Sequence, residues 1–202
     1  MKDMELKFED NSIEFEKELN ELDKFVINFT KILNELDIKY VIISGYVAIL
    51  FGRSRNSEDI DIFIEKLDKD KFTELWEQLS EKFECIIPKN IEEAYSDYLL
   101  KDTALRFATK DKFIPYMEVK FPKNSLDEYS LKERKEVILN NHQIFISPLE
   151  LQIAYKIYLG SGKDIEDARF LYKLFKENLN LNLLNLFIQK LNIESKFKEY
   201  IE

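Results

Sequence analysis

Phe15, Leu19, Leu22, Val26, Phe29, Leu33 and Leu36 step by fours and threes. Phe25 and Ile32 widen the stripe, so the spacing predicts one long helix packed on its own core rather than a coiled-coil seam. A helical oligomerisation module built on this stripe is the alternative. Tyr40 to Ser44 is short, apolar and β-branched, the pattern of a buried strand closing on Gly45, and Ala48, Ile49 and Leu50 carry a short helix to Gly52. Asp59 to Ile64 alternates polar with apolar, which predicts a strand with one polar face. Phe72, Leu75, Trp76 and Leu79 then predict an amphipathic helix over 68–82. Strands at 83–87, 104–109, 116–121 and 143–146, with a helix at 91–100, complete the middle of the chain. After Pro148 the pattern is helical throughout, over 149–159, 165–175, 181–191 and 195–200. This divides the chain into an N-terminal helix (1–36), a mixed-sheet α/β core (37–146) and a C-terminal helical region (147–202).

At 202 residues the chain can bury close to about 70% of its unfolded surface, and 45% hydrophobic with 13% aromatic residues is a globular composition. Its 30 basic and 39 acidic residues leave a net charge of −9, which opposes broad binding to nucleic acid or to anionic membranes. One cysteine, Cys85, and one histidine, His142, exclude a Cys/His zinc site, an internal disulfide and a Cys–His nucleophile pair. Cys85 reads as a small core side chain and His142 as part of the polar turn Asn140-Asn141-His142. The sequence shows neither a secretion signal nor an apolar run long enough to span a membrane, and a cytoplasmic protein is expected.

The four glycines fall in two places, Gly45 with Gly52 and Gly160 with Gly162, and there the backbone is expected to do something unusual. Around the first pair lies the candidate chemistry. Asp59 and Asp61 are two apart on a strand, so both point to one face while Ile60 and Ile62 point to the other. Paired carboxylates on a rigid strand suit a hard cation such as Mg²⁺, although the polar side of a surface strand has the same pattern. Glu118, between Met117 and Val119, would stand beside the aspartates if the two strands are neighbours; otherwise it forms a salt-bridged sheet face with Lys120. Gly45 at a strand-to-helix turn lets backbone N–H groups approach a phosphate, Ser44 adds a hydroxyl, and Arg53 and Arg55 are either phosphate partners or solvated surface charges.

At these residues the chain resembles the nucleotidyltransferase superfamily, of DNA-polymerase-beta-like fold, whose pattern is a strand, a Gly-Gly or Gly-Ser turn, a helix and Asp-x-Asp or Asp-x-Glu. Val41-Ile42-Ile43-Ser44-Gly45-Tyr46-Val47-Ala48 with Gly52, followed by Arg55-Asn56-Ser57-Glu58-Asp59-Ile60-Asp61, is similar to the minimal prokaryotic nucleotidyltransferases, including relatives of type IV abortive-infection toxins. Thirteen residues separate Gly45 from Asp59. The second glycine segment, with Ser147-Pro148-Leu149-Glu150, Lys156 and Gly160 to Ala168, is like the helical motif that follows the catalytic core in that group. Ser44 stands where many members have the first glycine, and Glu118 where many have Asp.

The resemblance implies an α/β (α+β) fold with a mixed sheet flanked by helices, and an Mg²⁺- or Mn²⁺-dependent transfer of a nucleoside monophosphate from an NTP to a hydroxyl acceptor. By it Asp59, Asp61 and Glu118 would hold metal and catalyse. Ser44, Gly45, Arg55 and Ser57 would bind nucleotide, with Lys156 and Lys163 reaching the phosphates from the second region. Lys163 and Asp164-x-x-Asp167 are equally an ordinary helix start. A catalytically silent member serving as a binding partner, for instance in a toxin–antitoxin pair, is the alternative.

Overall fold

The computed structural model describes residues 5–9 and 12–201; residues 1–4 and 10–11 of the expected N-terminal region, and residue 202, lie outside them. In chain order the elements are β1 (Lys7–Phe8), β2 (Ser12–Phe15), α1 (Glu21–Glu35), β3 (Tyr40–Ile43), α2 (Gly45–Leu50), β4 (Asp59–Ile64), α3 (Lys69–Leu79) and β5 (Phe83–Ile87). The helical stretch at 91–101 is irregular: α4 (Ile91–Glu93) runs on into π and 3-10 turns. Then come β6 (Leu105–Thr109), β7 (Tyr116–Lys120), α5 (Ser125–Lys132), β8 (Lys135–Leu139), β9 (His142–Ile146), α6 (Leu149–Leu159), α7 (Gly162–Phe175), α8 (Leu181–Lys190) and α9 (Glu194–Tyr200). The strands form one mixed sheet in the order β1-β2-β8-β9-β3-β4-β7-β6-β5.

The helical stripe does not begin at Phe15. Ser12–Phe15 is a strand, parallel to β8, with Ile13 and Phe15 buried and Ser12 and Glu14 half-buried. That alternation is a strand period hidden inside an apparent helical one. What starts the helix is Asn20: its side chain accepts from the Asp23 N–H at 2.8 Å while Asp23 accepts from the Asn20 N–H at 3.0 Å, a reciprocal cap that satisfies two orphan donors. The hairpin β8–β9 turns through Asn140 and Asn141, both at positive φ, and His142 opens the second strand.

The sheet has two unlike faces. On one, Ile60, Ile62, Met117, Val119, Leu105 and Phe107 are buried, and α1 and α3 cover them. Phe29 and Trp76 lie 6.0 and 5.5 Å from Phe107, ring to ring. Cys85 is buried on this side of the molecule as a free thiol. The other face carries Asp59, Asp61 and Phe63 on β4 and Glu118 and Lys120 on β7, with α5 packing against β3 and β4. Among the described residues no helix is long and apolar enough to cross a membrane.

Candidate active site

Ser44 leaves β3 at φ 66°, ψ −138°, in the left-handed half of backbone space that a residue with a Cβ seldom adopts. Such a conformation costs about 1–3 kcal/mol and persists where its surroundings hold it. Here Gln152 of α6 donates its side-chain amide to the Ser44 carbonyl at 2.6 Å. Gly45 is closely approached: a Cβ there would stand 3.0 Å from both terminal nitrogens of Arg55. The close neighbour of this glycine is therefore a guanidinium, and the bend is braced from beneath by side chains distant in sequence.

The register of the parallel β4–β7 pair sets Asp61 directly across from Glu118 and Asp59 across from Tyr116. Residues paired in this way share a face, so the three carboxylates of the sequence motif lie on one side of the sheet. Each has a neighbour of its own. Lys120 Nζ is 2.7 Å from Asp61 Oδ1, Arg106 Nε donates to Glu118 Oε1 at 2.9 Å, and Ser57 Oγ donates to Asp59 Oδ1 at 3.0 Å. The alternating acid and base down β7 is thus satisfied across strands rather than between Glu118 and Lys120. Arg106 also lies over the Tyr116 ring, whose phenol pKa is raised chiefly by burial and further by Asp59, Glu118 and Glu58, against the opposing pull of Arg106.

Among the described residues no three Asp, Glu, His or Cys side chains cluster closely enough to hold a metal ion. The donor set that does fit is smaller. Mg²⁺ commonly takes one or two protein carboxylates and completes its octahedron with water and substrate phosphate, and Asp59 with Asp61 on one strand face supplies such a pair.

The basic residues converge elsewhere. Asp167 of α7 is fully buried and accepts from Arg53, from Arg55 Nη1 at 2.5 Å and from Lys156 Nζ at 2.7 Å. Arg53 also meets Glu166, and Lys156 Nζ lies 3.3 Å from Asp164. Arg53 and Arg55 are accordingly neither surface charges nor free phosphate ligands; they tie the segment after α2 to the C-terminal helices. Asp167 is more than a helix-start acid, because Ser161 caps α7 by accepting from the Asp164 N–H. Lys163 is exposed and lies outside the cavity described next.

A cavity of about 340 Å³ opens between the sheet face, α5 and α6. Ser44, Asp61, Lys120, Gln152 and Lys156 line it together with Phe63, Leu126, Leu151 and Tyr155. Of the residues expected from the sequence, the structure brings Ser44, Asp61 and Lys156 to this cavity, keeps Gly45, Asp59 and mid-strand Glu118 next to lining residues but outside its lining, with Ser57 bonded to Asp59, and sets Arg55 and Lys163 apart from it. Lys120, Gln152, Tyr155 and the Asp167 cluster were not anticipated in these roles. For Lys120 the signal was available, since it alternates with Glu118; for Asp167 there was none, because Glu58, Asp59 and Asp61 lie closer in sequence to Arg53 and Arg55 than the buried acid that takes them.

No family model matches the chain, and no curated protein matches it. Solved structures do. An antigenic nucleotidyltransferase-like protein from Paracoccidioides brasiliensis is 20% identical, over 90% of this chain and 94% of that one, with a TM-score of 0.54. The antibiotic-resistance factor ANT(2'')-Ia, in its solution structure, is 10% identical over 87% of this chain and 94% of its own, at 0.51. Its crystal structure in complex with adenylyl-2''-tobramycin is 14% identical over 80% and 94%, at 0.50. At such identities the likeness is one of architecture: the chain has the mixed-sheet, helix-flanked fold of the nucleotidyltransferases.

Proposed function

We propose that this protein transfers a nucleoside monophosphate from an NTP to a hydroxyl on a protein, RNA or small molecule. The observation that supports this best is the register Asp61↔Glu118, which gathers carboxylates from two strands on one sheet face beside a cavity that begins at Ser44. The acceptor oxygen attacks the α-phosphorus in line, the bond to the β-phosphate oxygen breaks, and pyrophosphate leaves. Asp59 and Asp61 would hold Mg²⁺ or Mn²⁺, whose contribution when bound is to neutralise charge on the phosphate oxygens. The Ser44–Gly45 bend seats the triphosphate. Glu118 keeps Oε1 on Arg106 and receives the acceptor hydroxyl's proton at Oε2. Lys120 leaves Asp61 as nucleotide enters and stays beside the transferred phosphoryl group, where its charge opposes the developing negative charge. Lys156, held by Asp167, shapes the wall.

One observation favours a second reading, a silent member acting as a binding partner: the acids Asp61 and Glu118 already carry internal cations. Incubating the chain with each labelled NTP, Mg²⁺ or Mn²⁺ and a cell extract separates the two. The enzyme reading expects label on protein, RNA or a small molecule with matching pyrophosphate. It expects loss in Asp59→Ala/Asp61→Ala well beyond the roughly 10- to 100-fold that removing an outer-shell metal partner costs. Unchanged labelling by the double variant, or none by the wild type, refutes it.

A further inference from the structure

Most polar groups around the cavity are already committed. Asp61 is occupied by Lys120, Lys156 by Asp167 and Asp164, and Asp127 accepts from the Lys123 N–H and the Asn124 side chain. Two are not. Lys123 makes no ion pair among the described residues, and the Ser130 hydroxyl is buried with no hydrogen-bond partner. Ser130 sits in the body of α5, where a buried serine ordinarily bonds the carbonyl four residues back; here that bond is absent. A buried polar group left unpaired is uncommon and calls for a physical account.

The surroundings supply one. Phe63 lies two residues beyond Asp61 on the same face of β4, about 7 Å along the strand. From there Leu126, Leu151 and Leu159 make an apolar wall. The cavity thus runs from the Asp61 and Ser44 end, through an apolar section, with a lysine outside any ion pair and a buried hydroxyl outside any hydrogen bond along it. A nucleotide has the matching sequence of parts: an anionic tail, then a flat ring with hydrogen-bonding edges. We propose that this cavity takes the base of the donor nucleotide and that Ser130 is a specificity-determining residue, its hydroxyl bonding the edge of that base after a rotation about χ1. The inference rests on the transferase reading above.

The test is calorimetric titration of wild type and Ser130→Ala with ATP, GTP, CTP and UTP, and separately with inorganic tripolyphosphate, all with Mg²⁺. Losing one neutral hydrogen bond should weaken the preferred NTP by roughly 3- to 10-fold and narrow the ranking of the four, while tripolyphosphate binding stays unchanged. Thermal unfolding of the unliganded variant should match or exceed wild type, since an unpaired hydroxyl is removed, which separates the effect from misfolding. Equal NTP affinity in the two proteins, or an equal loss for NTP and tripolyphosphate, overturns the base site and leaves the transferase reading standing. No binding of either ligand by the wild type overturns both.

Discussion

Asp167→Asn is the sharpest probe of how this fold is held together. The carboxylate is fully buried and answers three cations from two regions of the chain: Arg53, Arg55 and Lys156. The amide keeps the volume and removes the charge. Arg53 retains Glu166, whereas Lys156, whose side chain is only 2% exposed, is left with Asp164 at 3.3 Å, and Arg55 loses its one acidic partner. Removing one member of a buried ion pair costs about 3–5 kcal/mol, because the remaining charge is desolvated without compensation. For a chain of this size that is roughly 10 °C in Tm. Urea unfolding of the single variants and of Asp167→Asn/Lys156→Met measures it. The double variant should recover part of the loss, since the stranded ammonium is gone, with a coupling of about 0.5–3 kcal/mol. A single-variant loss below about 1 kcal/mol, or strict additivity, would refute the view that this cluster anchors the C-terminal helices.

Two further outcomes follow from packing and burial. Gly45→Ala puts a methyl 3.0 Å from the Arg55 guanidinium, which Asp167 restrains, so a loss of about 1–3 kcal/mol is expected, and it should shrink in an Arg55→Ala background; equal losses in both backgrounds would contradict the contact. Burial raises both the Tyr40 phenol and the Cys85 thiol to about 12, from ordinary values of 10.0 and 9.0. The folded state therefore favours the protonated forms. Their contribution is full below about pH 9 and is lost as pH climbs toward 12, because the unfolded chain gives up those protons first. Urea midpoints at pH 8, 10 and 11.5 should fall progressively, and less steeply in Tyr40→Phe; parallel slopes would count against it.

Much of the core was legible before any coordinates. Local spacing sufficed for β3, β4, α3, β5 and the C-terminal helices, because each writes a period of 2 or about 3.6 into a few adjacent residues. The misreadings have local causes as well. Phe15 and Leu19 happen to be spaced as on a helix, and only the Asn20 cap shows where α1 starts. The strand β8 has its three apolar residues in one run, Val137, Ile138 and Leu139, without alternation, and helix α5 carries few apolar residues, so neither declares itself; α5 brings Ser130 to the cavity without any signature in its own segment.

Charge pairing was the part that sequence could not settle. Asp59 and Asp61 must share a face because residues two apart on one strand always do, and that much is a property of the backbone. Whether Glu118 stands beside them depends on β7 pairing with β4 in register, 57 positions apart for Asp61 and Glu118. In the same way, the acid that claims Arg53, Arg55 and Lys156 comes from a helix more than a hundred residues beyond the arginines. Periodicity is decided by neighbours along the chain; ion partners are decided by which elements meet in space, and a buried charge takes the partner that packing brings to it.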